Sequence, residues 1–190
     1  SRSQIYKAPT LQEMAENADK ANDEIKDDLQ KSKDEANELK KELDEIKKAL
    51  LQKEKPDWQD KNKIEQFLNK QEKLEQNLEK LQMKNQENQK EQNQFNQQSE
   101  EILKKQEMIN KLFDELMTEE MKELYKELRE MMEKMDKDKM LEKMDDIQMS
   151  QEEINKELDR ALEQFKQLEF EQKMEDITQQ LDKLAEKQEK

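Results

Sequence analysis

Apolar residues recur along this chain at alternating spacings of three and four, the pattern of helices that bury a narrow stripe. The first stripe reads Leu11, Ala15, Ala18, Asn22, Ile25, Leu29, Ser32, Ala36, Leu39, Leu43, Ile46 and Leu50. It predicts a coiled-coil helix over 11–53, preceded by an aperiodic leader at 1–10. Thr10 with Glu13 three residues on makes a capping box at its start. Glu54-Lys55-Pro56-Asp57 interrupts the helix, because proline lacks a backbone donor and disfavours helix in the residue before it. Asp57 is then placed to cap a second helix.

The second stripe holds its phase from Ile64 to Leu116, predicting one long central helix over 57–116, about 90 Å in length. In its middle, 82–101, the seam is polar: Asn85, Asn88, Gln92 and Ser99 stand where Leu74, Leu78 and Leu81 stand upstream. An alternative reading unwinds the chain near 93–99 and lets Ser99 cap a fresh helix. A linker as short as the one at Pro56 favours antiparallel neighbours, so the first two helices read as a hairpin, with a kinked continuous rod as the alternative. Facing residue numbers then sum to about 110, which sets Leu43 on Phe67, Leu29 on Leu81 and Asn22 on Asn88. Asn22, Asn85, Asn88 and Gln92 are the expected register-setting residues, since an amide in an apolar seam penalises slipped pairings.

From 117 to 149 the pattern breaks into short pieces and carries eight of the twelve methionines. It reads as a small Met-rich helical turning module. Met121, Met131, Met132, Met135, Met140 and Met144 are candidate partner-docking residues, because methionine repacks around varied surfaces; adaptable core is the competing reading. Ser150 with Glu153 forms a capping box that predicts a returning helix over 150–190, antiparallel to the distal part of the long one. Beyond Leu168 the apolar stripe shifts to Met174, Ile177, Leu181 and Leu184.

Composition sharpens this picture. Charged residues make up 45% of the chain and hydrophobic ones 31%, with no Gly among 190 residues, so strands and tight turns lack their usual residues. The expected fold is all-α: an elongated antiparallel coiled coil of long helices. The same seams allow an intermolecular coiled coil in place of the hairpins. The net charge of -14 opposes nucleic-acid binding, which needs clustered Lys and Arg. No apolar run approaches the ~20 residues that span a bilayer, so direct membrane contact is not expected.

Without His or Cys there is no Ser-His-Asp or Cys-His nucleophile and no usual zinc ligand set. Without Gly there is no phosphate-cradling loop. Carboxylate pairs such as Glu119-Glu120 and Asp145-Asp146 read as solvated faces, since acid–base work needs a buried pocket that shifts a pKa. The expectation is a non-catalytic protein without cofactors, a structural spacer or interaction scaffold whose partners are other proteins or further helices of its own kind. A holdase-type chaperone with a Met-rich client-binding tip is the alternative.

Asp57-Trp58-Gln59-Asp60-Lys61 after a Lys/Glu-rich helix, and Phe165-Lys166-Gln167-Leu168-Glu169-Phe170-Glu171-Gln172-Lys173 later, resemble a family of large, uncharacterised bacterial membrane-anchored proteins. Members carry N-terminal transmembrane helices and a long extracytoplasmic coiled-coil region. The resemblance implies a periplasmic or membrane-anchored envelope location and supplies no catalytic residues. Ser1 in place of an initiator methionine agrees with a segment of a larger protein.

Overall fold

The computed structural model describes residues 11–95, 98–116 and 118–188; the leader at 1–10 lies outside them. Among the described residues five helices make up the architecture: α1 (Leu11–Leu51), α2 (Trp58–Phe95), α3 (Glu100–Glu115), α4 (Glu119–Glu133) and α5 (Lys137–Gln188). The fold is all-α, and no strand occurs among the described residues.

The α1–α2 reversal is built as the sequence implies. Asp57 Oδ1 accepts from the backbone N–H groups of Gln59 at 2.8 Å and Asp60 at 3.1 Å, while Asp60 Oδ2 accepts from the Asp57 N–H at 2.9 Å. Lys53 Nζ clamps both carboxylates at 2.8 Å. This reciprocal cap satisfies N–H groups that the first helical turn leaves unpaired. The hairpin register follows: Asn88 meets Asn22, Lys70 meets Glu42 at 2.7 Å, and Lys84 meets Glu24 at 2.7 Å.

The single long helix over 57–116 does not form. Helix α2 ends at Phe95, and α3 begins at Glu100 and runs back along α2. Gln82 bonds Asp114 at 2.7 Å, Asn85 bonds Asn110 at 3.2 Å and Asn93 bonds Gln106 at 3.1 Å. The alternative start at Ser99 is the one adopted, with its side chain accepting from the Ile102 N–H at 3.4 Å. The physical reason is that an amide seam gains nothing from staying extended in water. Folding back sets amide on amide and brings Ile102, Ile109, Leu112 and Phe113 into the core.

Helix α4 continues the same leg after a break at Thr118, whose side chain accepts from the Met121 N–H at 3.3 Å. Its placement beside α2 shows in Lys61–Glu133 at 2.9 Å. The next reversal is a Schellman turn: Asp136 N–H donates to Met131 O at 3.2 Å, Met135 N–H donates to Met132 O at 3.1 Å, and Met135 is left-handed at φ 53°. With no glycine in the chain, methionine takes a conformation that glycine would adopt without steric cost.

The turning module over 117–149 is therefore not a separate head, and the returning helix does not start at 150. Helix α5 starts at Lys137 and runs for 52 residues, about 78 Å. Ser150 sits buried inside it. Its capping pattern is overridden because Met140, Met144, Ile147, Gln151 and Ile154 form one unbroken stripe facing the core.

Helix α5 is antiparallel to α1 along most of its length. Lys26, Lys33, Lys40 and Lys47, spaced by sevens, pair with Glu169, Asp159, Glu152 and Asp145. It also lies against α3 through Lys105–Glu171 and against α4 through Lys143–Glu127. The result is an up-down-up-down four-helix bundle of α1, α2, the segmented α3–α4 leg and α5. Each partly exposed ion pair contributes on the order of 0–1 kcal/mol, against about 1.5–3 kcal/mol for each fully buried Leu or Ile. The lysine ladder thus selects which helix lies beside α1, and the core from Ile25 to Leu168 holds the bundle together.

Candidate functional site

Polar side chains inside the bundle are gathered into layers. In the first, Asn22 on α1, Asn88 and Gln92 on α2 and Gln172 on α5 form a closed circuit of amides. Asn22 Nδ2 donates to Gln172 Oε1 at 3.1 Å, Gln172 Nε2 donates to Gln92 Oε1 at 2.6 Å, and Gln92 Nε2 donates to Asn22 Oδ1 at 3.4 Å. Asn88 Nδ2 joins by donating to Asn22 Oδ1 at 2.7 Å and accepts from Gln92 at 3.2 Å. Three of the four expected register residues, Asn22, Asn88 and Gln92, meet here. Gln172 was missed, although it continues the 161, 165, 168 seam by the next step of four.

Asn85 belongs to a second layer between α2 and α3. Asn110 bridges it to Gln89, accepting from Asn85 at 3.2 Å and donating to Gln89 Oε1 at 3.0 Å. Asn85 Oδ1, Gln89 Nε2 and Gln106 Nε2 are buried without a hydrogen-bond partner. The third layer sets Gln151 against Gln71 at 3.5 Å, with Tyr125 beside them. Burial, and then the negative charge of Glu75, hold the Tyr125 phenol neutral to far above its ordinary range. Burial likewise raises the Glu75 carboxyl above its ordinary value, opposed by Lys122.

This geometry fixes positions. Among the described residues no group of three or more Asp and Glu is arranged to hold a metal ion. Glu119 and Glu120 are exposed in the first turn of α4. Asp145 is paired with Lys47 and Asp146 with Lys143. No described helix is long and apolar enough to cross a membrane.

The candidate docking methionines are mostly interior. Met121, Met132, Met140 and Met144 are core residues, and Met131 is partly buried against the core. Only Met135 is exposed, at the α4–α5 turn. The reason is the fold-back of α3–α4, which turns that stripe onto α2 and α5 instead of leaving it at a free tip. Among the described residues an exposed apolar stretch lies elsewhere, at the end of α5, where Phe170, Met174, Ile177, Leu181 and Leu184 are 48–65% exposed.

No protein-family model, curated protein or solved structure matches this chain.

Proposed function

We propose that this chain is a non-catalytic helical scaffold, a stiff bundle that presents or spaces other protein elements. The observation that carries the reading is the closed amide circuit of Asn22, Gln172 and Gln92 joined by Asn88, tying three helices at one level. Its amides are spent on one another, which specifies register. The Lys26–Lys47 ladder adds orientation along the same faces. A place in a larger envelope protein is part of the proposal and rests on the resemblance of the segments at Asp57 and Phe165.

The chaperone alternative needs an apolar surface at the Met-rich end, and four of its six methionines lie in the core. An aggregation-suppression assay on a heat-denatured client separates the two. A scaffold leaves the aggregation rate unchanged at equimolar amounts, whereas suppression at substoichiometric amounts rejects the reading.

A further inference from the structure

The outward face of α5 changes character at Phe170. Upstream that face is Lys156, Asp159, Glu163 and Lys166, all exposed. Downstream it is Phe170, Met174, Ile177, Leu181 and Leu184, also exposed, and spaced four, three, four, three. At about 100° per residue the centre of this stripe lies about 160° round the helix from Gln172, which faces α1 and α2. The positions that continue the bundle-facing seam are Glu175, Gln179 and Asp182. The end of α5 is therefore amphipathic with its apolar side turned away from its own bundle, in the spacing of a coiled-coil seam.

We propose that this stripe pairs with the same stripe of a second copy, antiparallel, to form a dimer joined through the ends of the two α5 helices. Periodicity argues for a helical occupant carrying the same spacing, which the second copy supplies. Charge argues for the antiparallel sense. A parallel pair would lay Lys156, Asp159, Glu163 and Lys166 against their own copies. An antiparallel pair overlaps only the apolar stretch and points the two bundles in opposite directions. The layers are then Met174 on Leu184 and Ile177 on Leu181, with the twofold axis between them. Lys173, which flanks the stripe, already has its charge met by Glu169 at 2.7 Å. The apolar layers of the pair, from Met174 to Leu184, span about 15 Å, a small contact beside specific stable interfaces, so association is concentration-dependent.

Sedimentation and light scattering across a concentration series test this directly and do not depend on the scaffold reading. The mass is expected to rise from one chain to two, and the Ile177→Glu/Leu181→Glu variant to remain at one chain with unchanged helicity. A mass fixed at one chain up to about 1 mM overturns the proposal. Orientation is read in chains otherwise unaltered. Mild oxidation of mixed Met174→Cys and Leu184→Cys chains is expected to give a disulfide dimer. Met174→Cys alone should not, because its two copies would lie about 15 Å apart along the axis. Efficient crosslinking of Met174→Cys alone overturns the antiparallel pairing.

Discussion

Asn22 on α1 and Asn88 on α2 share a buried hydrogen bond of 2.7 Å, 66 residues apart in the chain. Removing Asn22 leaves the Asn88 amide and the Gln172 carbonyl without their partner in a buried layer. Asn22→Ala is expected to cost about 1–3 kcal/mol in denaturant-derived stability. Replacing Asn22, Asn88, Gln92 and Gln172 together by apolar residues is expected to raise the melting temperature and broaden the range of registers. A neutral Asn22→Ala change would place the circuit in solvent.

The fold-back of α3 on α2 has a direct geometric signature. Gln82 and Asp114 are in contact at 2.7 Å, whereas a continuous helix would hold them about 48 Å apart. Gln82→Cys/Asp114→Cys is expected to form a disulfide within one chain under mild oxidation. Recovery of the free thiols or of interchain products only would restore the extended helix.

At the hairpin apex, the Lys53 ammonium and then the Asp60 N–H hold the Asp57 carboxyl down at about 2, below its ordinary 3.8. A depressed carboxylate contributes stability that is present above its unfolded value and lost as pH falls through the folded one. The thermal stability difference between the wild type and Asp57→Asn is therefore expected to be full at pH 5, to shrink as pH falls and to vanish only below about pH 2, where the folded carboxyl also protonates. Asparagine keeps the cap, so the comparison isolates charge.

Glu75 carries the opposite sign. Burial raises its carboxyl above the ordinary 4.5, so its charged form is disfavoured in the fold. Glu75→Gln is expected to stabilise the bundle at pH 7, with the gain disappearing below about pH 4 as the wild-type carboxyl protonates. Thermal melts of the pair at both pH values check the sign.

Dilute peroxide sorts the methionines by burial. Met83, Met108, Met135, Met149 and Met174 are exposed and should oxidise early, while Met132, Met140 and Met144 should resist until the bundle unfolds. Peptide mass spectrometry over time reads this out. Early oxidation of Met140 or Met144 would mean that the α4–α5 contact opens readily.

The α1–α2 hairpin was legible because Pro56 pins the apex and the apolar and amide layers match at only one register. The end of α2 at Phe95 and the fresh start at Ser99 were legible only as the alternative, since a stripe that keeps its phase fits a straight helix and a folded-back pair equally well; only what the opposite leg offers decides. Ser150 misled for a related reason. A capping pattern is local, and the Met140–Ile154 stripe outweighs it by burying several side chains for the sake of one cap. A signal for the α1–α5 neighbourhood was present but unread: Lys26, Lys33, Lys40 and Lys47 recur by sevens, and so do Asp145, Glu152 and Asp159. Gln172 was hidden because the outward stripe beginning at Phe170 drew the seam away from it.

Because α1 and α5 are antiparallel, Leu11 and Gln188 emerge at the same end of the bundle. Tension applied between those two points does not stretch a rod lengthwise. It peels α1 from α5 one level at a time, starting at the Asn22–Gln172 contact and then reaching Lys26, Lys33, Lys40 and Lys47 in turn. Such an unzipping geometry loads each level alone instead of sharing the force across the whole α1–α5 contact. Mounted by both ends, it projects sideways like a stalk, with the turns at 52–57 and 134–136 outermost.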